Sequence, residues 1–392
     1  MYPDVVVLAG GAIGSPLSIC KSIRERFQIR TFVICIDSPQ LVKIFQKSKF
    51  ITEVISLNKI DCAEKFYNEL KKWYNSINFL EKPVLFSTTD LSCIYVNDLR
   101  DRFEDKFILT IPSSDIIDIF STKGKAEISA NRYGLATPNS LVIDSNENIK
   151  HVLDGFSFPV IIKPVSNRVN DKLEFKAEIC NRESFLKNAS DLINNNHHVL
   201  CQEYIPGEDT SVWFYIFYRS QAGEIIDYIG IKTLQSPPGH GIMAIGTTCE
   251  NVPLRDLCRN FLSKIDFIGL GGIEFKYYDG KYYFIEMNVR TEAIIPLTEK
   301  KYSLSLATYL GCIGCSIKNN ENSYKINYLD IRPTVVARIR QRKPFFLIKD
   351  ILIAFLFRNW KINIFYSNDI MPFVITFLRS VKGFIKNKFL GK

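Results

Sequence analysis

Over the first part of the chain, short apolar runs alternate with stretches of helical periodicity. VVVLAGG, TFVICID, EVISL and PVLFSTTD read as strands. Between them lie helical stretches through Pro16 to Arg26, from Pro39, and through Lys71. Strands that alternate with helices imply a parallel sheet with crossover helices, because parallel neighbours need a long connection. The pattern predicts an open α/β domain over residues 1–115.

The pattern then changes. A helix around STKGKAEISANRYG, stopped by Gly134 and Pro138, is followed by LVID, a helix, and FPVIIKP, a strand flanked by prolines. EFKAEI, HVLCQEYI, SVWFYIFYRS and EIIDYIGIKTL continue as strands, and a helix near 253–265 leads into GGIEFKYYDG and KYYFIEMNVR. Those last two read as a hairpin turning at Asp279 and Gly280. No repeat or Gly/Ser tether separates these parts, which predicts lobes packed tightly together.

At 392 residues the chain exceeds what one core usually supports, and 46% hydrophobic with 23% charged residues places it among globular proteins. The net charge of +9 is uneven: residues 331–392 carry 13 Lys and Arg against 2 Asp and Glu. The basicity therefore belongs to the C-terminal segment, which argues against a nucleic-acid enzyme with a basic cleft and for a surface that meets something anionic. Ten scattered cysteines, with no basic leader ahead of VVVLAG, predict a cytoplasmic, reduced protein. Cys312 and Cys315 form a lone C-x-x-C without a second pair, so ordinary buried thiols are expected and no structural metal.

Gly10, Gly11 and Gly14 after the first strand invite a dinucleotide reading, but Ala9 stands where G-x-G-x-x-G requires glycine. The hairpin is more informative. Strand residues two apart share a face, so Glu286, Asn288 and Arg290 project to one side of the second arm, with Phe284 in the same alternation and Glu274 on the first arm. Polar groups aligned on one strand face need a partner, and magnesium takes hard oxygen ligands of this kind.

Glu274 followed twelve residues later by Glu286-x-Asn288-x-Arg290 resembles the hallmark of the ATP-grasp superfamily. The resemblance implies an N-terminal open parallel α/β domain, a two-lobed α+β grasp divided into residues 116–200 and 201–330, and a short basic helical segment over 331–392. It implies that Glu274, Glu286 and Asn288 hold magnesium, or manganese in its place, on ATP, and that Arg290 stabilises the transferring phosphoryl group. Lys123 matches the lysine that opens the first ATP-binding subdomain, and Lys163 its second phosphate-contacting lysine. CQEYIPGED looks like the adenine hinge, with the Gln202 side chain and the Glu203 and Ile205 backbones on the base and Asp209 on the ribose. Gln202 departs from the glutamate common there. GIKTLQSPPGHGIMAIG resembles the closing loop, with Lys232 toward the phosphates and His240 and Gly241 in the mobile turn.

FSTTDLSCIYV and FYSNDIMPFVITFLRS look like bacterial members similar to D-aspartate ligase, which attach amino acids to cell-envelope precursors. The expected activity is an ATP-dependent carboxylate–amine ligase working through an acyl phosphate on two small-molecule substrates, one of them lipid-linked, with self-association left open. A biotin-carboxylase-like enzyme and an inactive scaffold at the membrane are the alternatives. In the basic segment, Phe345 to Phe357 is too short and too broken by Lys349 and Asp350 to cross a bilayer. Phe377, Leu378, Val381, Phe384, Ile385 and Phe389 recur at helical spacing, with Arg379, Lys382 and Lys386 turned away. That stripe suits either packing on the body or an anionic membrane surface at the inner face of the membrane.

Overall fold

The computed structural model describes residues 2–165, 177–195, 197, 199–239, 241–317 and 325–389, the last nine of these as backbone only. The first sheet has strands β1 (Val5–Ala9), β2 (Thr31–Ile36), β3 (Glu53–Leu57), β4 (Val84–Ser87) and β5 (Ile108–Leu109), all parallel in the order β3-β2-β1-β4-β5. β1 is apolar throughout because both faces are covered. Val6 and Leu8 enter a core with the helix Ala63–Ser76, while Val5, Val7 and Ala9 enter a second core with the helices Gly14–Arg24 and Pro39–Phe45. The strand order reverses between β1 and β4, so a crevice opens at their carboxyl ends.

The smaller sheet contains β6 (Ser140–Ile143), β7 (Val160–Pro164), β8 (Glu178–Cys180) and β9 (Val199–Glu203), ordered β6-β9-β7-β8 and antiparallel. Of the predicted strand EFKAEI, residues 174–176 lie outside the described residues. The third sheet is built from β10 (Val212–Arg219), β11 (Ile225–Ser236), β12 (Ile242–Thr248), β13 (Gly269–Tyr278), β14 (Lys281–Asn288), β15 (Asn327–Leu329) and β16 (Trp360–Ile362). Its order is β14-β13-β10-β11-β12-β15-β16. β13 and β14 form the predicted hairpin, and Asp279 (φ 47°) and Gly280 (φ 74°) supply the left-handed turn it needs.

The basic C-terminal segment joins this sheet through β16, which runs parallel to β15. Its helix Pro344–Leu356 packs Ala354 against Leu329, Ala337 and Ile362, and the helix Met371–Phe389 packs Phe373 and Ile375 toward the second core of the parallel domain. The segment also settles the role of Gly14. The Asn363 amide lies against Gly14 where any β-carbon would clash, at the helix start a dinucleotide pyrophosphate would need. Gly14 therefore serves packing.

All ten cysteines are free thiols. Cys312 is half-buried and Cys315 exposed, which corrects the expectation that both are buried.

Candidate active site

The hairpin register sets Glu274 directly opposite Glu286, and Gly272 opposite Asn288. Directly paired residues hold their β-carbons about 4.5–5.5 Å apart, so two carboxylates face each other on one side of the sheet. A bulge follows: Phe275 pairs with Phe284, leaving Ile285 as the extra residue. Strict alternation would put Phe284 beside Glu286, but the bulge turns it into the core, where it is fully buried against Phe275. Only Glu286, Asn288 and Arg290 keep the shared face.

Beyond β14 the polar groups tie together. Asn288 accepts a hydrogen bond from Arg290 Nη2 (3.1 Å) and donates through Nδ2 to Glu292 Oε1 (2.8 Å). Arg290 Nε donates to Asp90 Oδ1 (2.7 Å). Asp90 opens the helix Asp90–Asp98, whose start is fixed by a capping box between Thr89 and Ser92, so β4 positions this acid at the crevice. The Thr291 N–H donates to the Ser87 carbonyl (3.1 Å), stitching the hairpin exit to β4. Burial raises the Glu292 carboxyl to about 7, opposed by Arg290. Burial also raises Glu274, opposed by Lys232, whose Nζ lies 2.7 Å from Glu274 Oε2. The Arg290 guanidinium is held charged by Asp90 and Glu292 against burial.

The lysines come in from other elements. Lys123 begins the helix Lys123–Arg132 and lines one cleft with Asp90, Phe120, Glu286 and Asn288. Its pKa is lowered, first by burial and then by the neighbouring charge of Lys163. Lys163, near the end of β7, sits 2.9 Å from Gln202 Oε1 and 3.3 Å from Glu127 Oε1, and Gln202 Nε2 donates to that same Glu127 oxygen (2.6 Å). The Gln202 side chain is thus engaged on Lys163 and Glu127. The Glu203 carboxylate accepts from Ser157 N–H (2.8 Å) and Asn139 Nδ2 (3.0 Å), and its backbone N–H donates to the Asn139 carbonyl (2.9 Å).

Asp209, expected on the ribose hydroxyls, is engaged within the chain. Its carboxylate accepts from Gln235 N–H (2.7 Å), Gln235 Nε2 (3.1 Å) and Gly239 N–H (2.6 Å), and so latches the loop after β11. Gly241 closes that loop, since a β-carbon there would strike the Ser236 backbone. His240 lies outside the described residues.

Sequence reasoning missed three acids. Glu292 continues the alternation 286, 288, 290 by one step, and Gly272 makes room for it: a β-carbon on Gly272 would lie 2.5 Å from Glu292 Oε1. Glu127 lies one helical turn beyond Lys123, a spacing that puts both on one face. Asp90 sits in the FSTTD run, whose strand-end position was its one signal.

Among the described residues no three Asp, Glu, His or Cys side chains form a metal-holding group by themselves. Two carboxylates and an amide are the donor set here, which suits a hard cation that completes its shell with phosphate and water.

No protein-family model matches the chain. The biotin carboxylase domain of 2-oxoglutarate carboxylase from Hydrogenobacter thermophilus, solved with MgADP and bicarbonate, superposes with a TM-score of 0.64 at 15% identity, covering 82% of this chain and 71% of that one. The two chains share a fold. The chain is 22% identical over 264 residues to the carbamoyl phosphate synthase large chain of Methanothrix thermoacetophila, covering 64% of this chain and 22% of that protein. It is 28% identical over 171 residues to the D-alanine–D-alanine ligase of Pelagibacter ubique, covering 40% of this chain and 53% of that protein. The chain thus matches only about a fifth to a half of the length of these curated relatives.

Proposed function

We propose that the protein is an ATP-dependent carboxylate–amine ligase. The observation that carries this reading is the carboxylate pair Glu274–Glu286 with Asn288 and Arg290 on one face, in a cleft shared with Lys123. Carboxylates that face each other call for a cation, and the burial that raises the Glu274 carboxyl supports the fit. Glu274, Glu286 and Asn288 would hold magnesium, which supplies charge neutralisation to the phosphates when bound.

The chain's own residues do the rest. Attack of a carboxylate oxygen on the terminal phosphorus of ATP joins two anions, so the step depends on positioning and on positive charge. Lys123, Lys163 and Lys232 carry that charge, and Arg290 faces the oxygens where charge builds. ADP leaves, the amine attacks the acyl carbon, and phosphate departs as the amide forms. Glu203 and Ile205 present backbone to the adenine edge, and the Asp209-latched loop ending at Gly241 keeps water from the acyl phosphate.

Asp90, beside Arg290 in the crevice between β1 and β4, supports that crevice as the side from which the acceptor enters. The resemblance of the surrounding FSTTDLSCIYV supports an envelope precursor as acceptor, one substrate being lipid-linked. The second motif, FYSNDIM, has a structural part: Asp369 accepts from Ser48 Oγ and the Lys49 N–H and clamps the C-terminal segment to the parallel domain. The test is phosphate release across a panel of amino acids with hydroxylamine as trap. Hydroxamate formation with one acid is the expected result, and bicarbonate-dependent release without hydroxamate would favour the carboxylase reading.

A further inference from the structure

The helix Pro344–Leu356 reverses the usual partition. Its inner face, Leu347, Asp350, Ile351 and Ala354, meets the body, where Arg338 Nε donates to Asp350 Oδ2 (2.7 Å). The outer face should then be polar. Instead Phe345, Ile348, Leu352 and Leu356 stand there, 84%, 58%, 54% and 75% exposed. Positions 345, 348, 352 and 356 repeat at three and four residues, so they form one stripe rather than scattered exposures. Ring contacts from Phe355 to Phe373 and from Phe373 to Phe377 carry the apolar surface onto the next helix. An exposed apolar surface of this continuity marks an interaction site.

Charge decides the occupant. Arg340, Arg342 and Lys343 precede the helix, Lys349 lies on its exposed side and Arg358 follows it, all exposed. The two acids of residues 331–392, Asp350 and Asp369, are both turned inward onto Arg338 and Ser48. The rim therefore presents cations. A second copy on this face would bring like charges together, because an isologous contact pairs a surface with itself. An anionic lipid surface satisfies both parts, taking the stripe into its acyl boundary and the cations at its headgroups. Among the described residues no helix is long and apolar enough to cross a membrane, so the helix would lie flat.

We propose that the outer face of Pro344–Leu356 is a docking surface for an anionic membrane. This differs from the sequence expectation, which placed the contact on the later stripe through Phe389, where the side chains beyond Ser380 lie outside the described residues. The test is sedimentation of the full chain with phosphatidylglycerol-containing vesicles and with pure phosphatidylcholine vesicles, at low and high salt. Binding to the first at low salt, and release at high salt, are expected. Phe345→Glu with Leu352→Glu should lower partitioning at least about tenfold, and Arg342→Glu with Lys343→Glu should do the same by removing headgroup contacts. Circular dichroism of the variants checks that the helix persists. Absence of binding to anionic vesicles, undiminished binding by the apolar double variant, or a dimer in ultracentrifugation that this variant dissolves, would each overturn the proposal. Sedimentation reads the face without reference to turnover, so its failure leaves the ligase reading standing.

Discussion

The hairpin cleft and the helix Pro344–Leu356 break the same rule in opposite senses. In the cleft the chain draws charge inward, with Lys163, Lys232 and Glu292 all in the interior. On the helix it turns Phe345 and Leu356 outward. The cleft is compensated from within: each buried lysine meets a carboxylate, Lys163 with Glu127 and Lys232 with Glu274, as buried charge requires. Among the described residues no such internal compensation covers the helix stripe, which points to a counterpart from outside. Inward charge therefore marks a site whose loss is read in chemistry and stability, whereas outward apolar surface marks one whose loss is read in association.

The largest expected effect comes from breaking the cleft's network. Arg290→Ala leaves Asp90 and Glu292 without their cation, so turnover should vanish and stability fall by about 3–5 kcal/mol in urea unfolding. Next, Glu286→Gln and Asn288→Ala should each lower turnover by about 10²–10³-fold. The Glu286 side chain is exposed, so its variant should melt like the parent; a variant that melts early would place Glu286 among structural residues. Lys163→Ala should weaken ATP binding by about 1.5–3 kcal/mol in titration calorimetry and also destabilise the fold by stranding Glu127. Adding Glu127→Ala should restore stability without restoring affinity, a cycle that separates the two roles. Gly272→Ala should cost about 1–3 kcal/mol through its clash with Glu292. Smallest of all, Leu352→Ser on the exposed stripe should change unfolding by no more than about 0.5 kcal/mol. A larger loss would mean that the chain itself covers that face.

What was legible in the sequence followed from local periodicity. Alternation found Glu286, Asn288 and Arg290, and the Asp279-Gly280 pair found the turn, because both are set within a few residues. Phe284 was misread because a bulge inserts one residue and inverts every side chain beyond it. Asp90 and Glu127 escaped because their roles depend on partners far along the chain, Arg290 and Lys163. The Asp209 latch escaped for the same reason, since its donors lie 26 and 30 residues away. On the helix strong hydrophobicity was legible but not its direction. Lys349 and Asp350 are adjacent, and only the packing shows that the acid turns in while the base turns out.

The ties between the chain's distant parts carry a consequence for how it is made. Arg290 and Asp90 lie 200 residues apart, Tyr309 Oη and the Pro3 carbonyl it bonds 306, and Ser48 and Asp369 321. During synthesis the parallel sheet emerges first, with β1 and β4 ending at an unfinished crevice. Contacts at such separations close late, because the loop entropy must be overcome before they contribute. The cleft is therefore assembled near the end of folding, after Asp90 has waited for some two hundred residues to be translated, and an aborted chain carries its lysines without the hairpin that completes them.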